Sequence, residues 1–311
     1  MRNAFVGELV ALAGKHPNVA LIVGDLGFSV VEPFAERFPD RFINAGVAEQ
    51  NMMGLAAGMA SEGYHVFVYS IANFPTFRCA EQIRNDVAYH QLPVTVVAVG
   101  GGLAYGALGY SHHAVQDYGL LRLFPNMLIA APGDPMEVRA CLRHLVANPQ
   151  PSYLRLGKAG EPSFHREPPE LSPGVWLTLR PGQEGSPVLL STGAALTQAM
   201  SWSQSLAGPA LRVCSLPLWG MSCKGVQAAQ VASAERLITV EDHLRDGGFG
   251  SWMGEALMGH PGLRAAHRAI ALDPEVCGRV GGQEALNQLG GLTLDALARC
   301  LAPAMEGPKR T

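Results

Sequence analysis

Short apolar runs alternate with helix-length segments along the chain, and this alternation restricts the fold more tightly than any single motif. Runs at 20–23, 64–69, 94–99, 127–130 and 152–156 are rich in apolar, β-branched and aromatic residues. The segments 5–15, 31–38, 77–90, 115–123 and 135–147 between and around them read as helices. Strands separated by helices specify a parallel sheet covered on both faces. Pro162, Pro168, Pro169, Pro173, Pro181 and Pro187 then mark an irregular crossing. A second alternation follows, with strands at 188–191, 211–216, 237–240 and 269–272 and helices at 194–206, 250–257 and 292–301. The expected fold class is therefore α/β, with two doubly wound domains over 1–163 and 187–305 and a linker over 164–186. The tail 306–311 reads as disordered.

Length and composition bound the function. The 311 residues suffice for two domains with sizeable cores. Only 16% of residues are charged and 48% are hydrophobic, which fits a well-buried protein or a subunit that hides surface in contacts. A net charge of −3 points to no nucleic-acid or anionic-membrane surface. The six cysteines are scattered without a Cys-x-x-Cys pair and read as reduced thiols of a cytoplasmic chain. No secretory signal is visible. Residues 91–116 lack Asp, Glu, Lys and Arg, but five glycines and two histidines after Val99 make this a buried strand and loop, not a membrane span.

Residues 44–60 carry one acid, Glu49, among mostly small and apolar residues. Asn44 reads as an N-cap and Gly63 as a stop, which predicts a helix between them. Gly54, Ala56, Ala57, Gly58 and Ala60 allow other backbones to approach it closely. Glu49 sits in the first turn, where the commoner reading is an acid satisfied by the helix terminus. A buried carboxylate must otherwise find a partner or take up a proton.

The run Gly-Val-Ala-Glu-Gln-Asn-Met at 46–52 resembles the pyrimidine-binding motif of the transketolase family, which depends on thiamine diphosphate. The resemblance implies that Glu49 bonds N1′ of the aminopyrimidine and promotes the imino tautomer that deprotonates thiazolium C2. Such a carboxyl works best in dry surroundings. It further implies that Asp25 and Leu26, in the loop Gly24-Asp25-Leu26, lie beside the thiazolium end. Met52 would prop the cofactor into its bent form, and Phe74 would stack on the aminopyrimidine. Without the resemblance, the loop reads as a turn, and Met52 and Phe74 read as core. Phe77 is read as core in either case. Residues 81–86 resemble the same helix in two-gene transketolases, which assigns Arg78, Glu81 and Arg84 to subunit-interface ion pairs.

A second chemical signal lies at 109–117, Gly-Tyr-Ser-His-His-Ala-Val-Gln-Asp, which resembles the family segment whose His assists proton transfer at the donor substrate. His112 takes that position, and an imidazole suits the role. The pair His112 and His113 has no Cys or acid at ligand spacing, so no metal site is assigned. The chain departs from the family here. An Asp that reads a donor hydroxyl is replaced by Leu108, and another His falls on Gly100. Both changes point to a less polar or differently shaped substrate. Arg155 and Lys158 are candidate anchors for a substrate anion, as similar basic residues are in the family, or solvated residues at a strand end. The segments 240–243 and 247–250 are assigned to packing and dimer contacts.

The resemblance covers about 1–300, yet the family's Gly-Asp-Gly with a downstream Asn, which holds Mg²⁺ and the diphosphate, is absent from the sequence. Mg²⁺ is therefore expected on a partner chain, the N-terminal subunit of a split enzyme, in an α2β2 assembly. The leading reading is the C-terminal subunit of a two-chain transketolase moving a two-carbon ketol unit from a ketose to an aldehyde. One alternative is 2-oxoacid decarboxylation of the 1-deoxyxylulose-5-phosphate synthase or oxoacid dehydrogenase β-subunit type. Another is a non-catalytic scaffold or regulatory partner.

Overall fold

Strand β1 (Val19–Val23) is buried along its whole length and has a parallel partner on each side. Its neighbours are β2 (Phe42–Asn44) and β3 (His65–Ile71). Outward from β3 run β4 (Val94–Val99), then β6 (Ser152–Leu156), then β5 (Leu128–Ala130). The computed structural model describes residues 1–205 and 211–302, and every pairing among these six strands is parallel. The all-buried pattern of β3, β4 and β6 explains their continuous apolar sequence, since helices cover both faces.

One face is closed by helices Arg2–Ala13 and Pro135–Ala147. Phe5 and Leu9 are fully buried there, and the Phe5 ring lies 5.7 Å from Tyr69 and 6.3 Å from Phe67. The other face is closed by helix Glu49–Ser61, whose Met52, Met53, Ala56, Ala57 and Ala60 pack with Ile83 and Val87. Burying one large apolar side chain contributes about 1.5–3 kcal/mol, so each helix is fixed chiefly by its inward stripe.

The second sheet has the order β12-β11-β8-β9-β7. It comprises β7 (Leu177–Arg180), β8 (Val188–Ser191), β9 (Arg212–Ser215), β11 (Leu237–Leu244) and β12 (His267–Leu272). Its pairings are parallel except that β7 runs antiparallel at the edge.

Four expectations are corrected. The strand β10 (Leu218–Gly220) leaves the second half of the chain and pairs antiparallel with β5 of the first sheet. The Pro-rich segment 164–186 is no bare linker, because it supplies β7 and is pinned where Asp134 accepts the N–H groups of Phe164 and His165. Asn44 is not an N-cap. It ends β2, and the helix begins at Glu49 after an uncapped Ala48. The single helix expected at 77–90 starts only at Ala80, after a separate short helix Asn73–Thr76, and passes from Ala80–Gln82 into a π-helical turn Ile83–Ala88, and Phe77 stands 41% exposed instead of in the core. The tail expected to be disordered lies outside the described residues. Among the described residues no helix is long and apolar enough to cross a membrane.

Candidate active site

The carboxyl ends of β1, β2, β3, β4 and β6 open onto one edge of the first sheet, which is where parallel sheets place ligands. From that edge the chain delivers Asp25, Glu49, Phe74, His112 and Lys158 in turn.

Gly24 and Asp25 follow β1. Asp25 adopts a left-handed backbone (φ 54°), which its side chain tolerates, and its N–H donates to Asn44 Oδ1 at 3.1 Å. Asn44 Nδ2 returns a bond to Asp25 Oδ1 at 2.9 Å. The pair staples the turn after β1 to the end of β2. Gly24 lies against Met52, Ser70 and Glu49. Leu26 is half-buried against the helix Arg2–Ala13 side of the sheet.

Glu49 is 2% exposed at the first turn of its helix. Its Oε2 accepts a 2.5 Å bond from Arg78 Nη1. Arg78, expected at a subunit interface, directs one donor at Glu49 of its own chain and stays about half exposed. Arg84 bonds its neighbour Asn85. Met52 is fully buried beneath Gly24. Ser70, which sequence reasoning did not single out, is fully buried with an unpartnered hydroxyl at the same spot.

Phe74 is half-buried on the short helix after β3. The Arg78 guanidinium lies 5.3 Å from its ring centroid, and the His112 ring meets it edge-on at 5.2 Å. His112 rides a 3-10 turn, Tyr110–His112, with Nδ1 3.0 Å from Ser111 Oγ. Asn73 holds this turn in place by donating to the carbonyls of Ser111 (3.0 Å) and His113 (2.9 Å). His113 points the other way, buried with Nε2 3.3 Å from the Gly106 carbonyl. Leu108, at the position of the missing Asp, stands 56% exposed.

Lys158 is exposed beyond β6, with Nζ 5.1 Å from the Tyr105 ring centroid. Arg155 is the clearest correction to the expected site. It is 3% exposed and its donors are committed to Asp117 Oδ2 (2.7 Å), Asp242 Oδ1 (2.5 Å) and the Ala114 carbonyl (2.7 Å). Burial opposes its charge, but the two carboxylates outweigh that and hold it protonated. Arg155 therefore joins β6 to β11 across the two sheets and is not free to bind a substrate anion. In the same region Glu241 accepts the N–H groups of Phe249 (2.5 Å) and Gly250 (2.8 Å), and burial pushes its pKa up to about 8. Within the chain, Glu241 thus ties the segment 240–243 to 247–250.

The arrangement offers a dry acid, a flat ring face and an imidazole in succession. A cofactor with an aminopyrimidine ring fits it, since Glu49 supplies a buried carboxyl, Ser70 an unsatisfied hydroxyl against Gly24, and Phe74 a half-buried ring. Among the described residues no three His, Cys, Asp or Glu are grouped to hold a metal ion.

Residues 1–160 match the family model described as the transketolase pyrimidine-binding domain. The chain is 34% identical to one of the subunits of the apulose-4-phosphate transketolase of Phocaeicola vulgatus, over 84% of each chain. It is 28% identical to a 6-deoxy-6-sulfo-D-fructose transketolase subunit of a Clostridium species, over 96% of this chain and 92% of the relative. A solved split-gene transketolase, an inactive β4 tetramer, superimposes with a TM-score of 0.83 at 28% identity, covering 96% of this chain and 95% of that one.

Proposed function

This chain belongs to the transketolase family, and we propose that it is the C-terminal subunit of a split, thiamine-diphosphate-dependent transketolase. The observation that carries the proposal is the buried Glu49 beside Gly24 and Ser70, linked to Phe74 through Arg78, at the carboxyl edge of the parallel sheet. Thiamine diphosphate, when bound, would supply a nucleophilic carbon and an electron sink. Glu49 accepts a hydrogen bond from the aminopyrimidine, or donates its own proton to it, in surroundings dry enough to make that bond strong. Phe74 fixes the ring plane, and an aromatic face adds on the order of 1 kcal/mol beyond burial. Met52 supports the site from below, and Asp25 with Leu26 bounds the thiazolium end. His112, edge-on to Phe74, is placed to hold or move a proton at a substrate hydroxyl or carbonyl.

The diphosphate and Mg²⁺ are held by a partner subunit carrying Gly-Asp-Gly and a downstream Asn, in an α2β2 assembly in the cytoplasm. The family relationship and the missing diphosphate motif support this division of labour. The names of the relatives include a sugar phosphate and a sulfosugar, which favours a substrate with an anionic end. The test is the complex isolated with its partner. Ketol transfer from a ketose to an aldehyde, abolished by Glu49→Gln with assembly intact, is the expected result. Carbon dioxide release from pyruvate without ketol transfer would replace the reading with the decarboxylating alternative, and turnover indifferent to Glu49→Gln would end both.

A further inference from the structure

We propose that the cleft between the two domains, about 520 Å³ in volume, is a second ligand site of this chain, built for an uncharged polyhydroxylated molecule such as a sugar or an alditol. The inference goes beyond the transketolase reading and does not depend on it.

The loop 157–162 after β6 forms one wall of the cleft, and the helices Leu196–Ser205 and Gln283–Leu289 form the other. Gln198, Ser201 and Trp202 recur at i, i+3 and i+4 on the first helix, so they share the face turned to the cleft. Gln283 and Asn287, four residues apart, do the same on the second. Asp25, Glu49, Phe74 and His112 do not line it, which separates it from the candidate active site.

Asn287 decides the reading. It is 4% exposed, yet its Oδ1 is buried without a hydrogen-bond partner. An unpaired buried acceptor costs about 1–3 kcal/mol, and a hydroxyl donor seated in the cleft would remove that cost. Gln198 and Gln283 add two half-buried amides, and Ser201 adds a hydroxyl. Each of these groups both donates and accepts, as every hydroxyl of a sugar does. Trp202, 8% exposed, offers an apolar indole surface for the C–H face of such a ligand. Charge selects no anion here, because Lys158 is offset by Glu161 and Glu284 in the same lining. The volume lies within the usual range of small-molecule sites.

The test titrates xylitol, D-glucitol and methyl β-D-glucopyranoside calorimetrically into the native complex of this chain with its companions. None of the three has the free carbonyl that ketol transfer needs, so turnover adds no heat. Saturable binding of at least one probe at millimolar concentration is expected, one molecule per copy of this chain, and equally in the Glu49→Gln complex. Asn287→Leu weakens that binding about tenfold, the effect of losing one buried hydrogen bond. Its melting temperature stays level or rises, because an unpaired polar group is gone; a purely structural Asn would lower it. Gln198→Ala, which shortens a half-buried side chain, weakens binding about threefold. Heats that never saturate for any probe overturn the inference. Wild-type affinity in Asn287→Leu overturns it too, as does wild-type affinity in Gln198→Ala should the first variant fail to fold. Tighter binding of D-glucitol 6-phosphate than of D-glucitol would make the cleft an anion site and contradict the uncharged class. A complex that binds the probe but transfers no ketol unit sinks the transketolase reading and supports this one.

Discussion

Arg78 Nη1 donates to Glu49 Oε2 at 2.5 Å while the same guanidinium lies 5.3 Å from the Phe74 centroid. A planar cation therefore engages both the acid and the ring face assigned to the aminopyrimidine. Arg78 is about half exposed, so solvent limits the pair to about 1 kcal/mol. Removing it still leaves a desolvated carboxylate without a partner. Arg78→Ala is therefore expected to lower the melting temperature of the cofactor-free complex. It is also expected to enlarge the upward shift produced by thiamine diphosphate and Mg²⁺, because the cofactor then replaces a lost partner. A smaller shift than in wild type would mean that Arg78 holds the cofactor in place of occupying its seat.

His112 contacts Phe74 and Tyr105 but lies in a turn held by Asn73, so its loss should spare the cofactor site. His112→Ala is expected to reduce kcat by about 10²–10⁴, the usual contribution of a positioned acid–base group. Cofactor content should be unchanged. Turnover within a factor of two of wild type would assign the proton work elsewhere.

Arg155 neutralises two carboxylates that are themselves buried. Arg155→Met leaves Asp117 and Asp242 buried without their cation, Asp117 keeping only the bond from the Tyr153 hydroxyl. The expected loss is about 3–5 kcal/mol in urea unfolding, as for breaking one side of a buried ion pair. Near-wild-type stability combined with a raised KM for an anionic substrate would restore the anion-anchor role that the geometry removes.

His165 and Asp134 give a pH signature. Asp134 is buried, yet its bonds from His165 and the backbone N–H groups of Glu137, His165 and Phe164 hold its pKa down at about 2. A depressed acid stabilises the fold above its unfolded value and loses that effect as pH falls through the folded one. The bond to Asp134 raises the pKa of His165, so its contribution is complete below its unfolded value and fades as pH rises through the folded one. The pair is strongest between these limits. The melting-temperature gap between wild type and His165→Gln should be wider at about pH 5 than at about pH 8.5. An equal gap at both would show that the ion pair contributes nothing beyond packing.

Much of this was legible in the sequence because burial on both faces writes a strand as an unbroken apolar run, as in Val94–Val99. Glu49 stood out as an isolated acid among small residues, but pattern alone reads it as a first-turn acid, and its assignment to a cofactor came from the resemblance of residues 46–52. Local signals failed where long-range partners decided. Asn44 has the residue type of a cap, but Asp25, 19 positions away, claims its side chain. Leu218–Gly220 is too short to announce which sheet it joins. Arg155 lies near the end of a strand in the position of an exposed anchor, and Asp117 and Asp242, 38 and 87 positions away, turn it inward.

The most direct test of the central claim is to purify this chain under native conditions from its own host and measure its companions and its thiamine diphosphate content. The account predicts one stoichiometric companion bearing Gly-Asp-Gly and about one cofactor per pair of chains, lost from the Glu49→Gln pair or bound there without turnover. A chain that emerges alone, and that binds no thiamine diphosphate even when co-expressed with a Gly-Asp-Gly subunit, would contradict it.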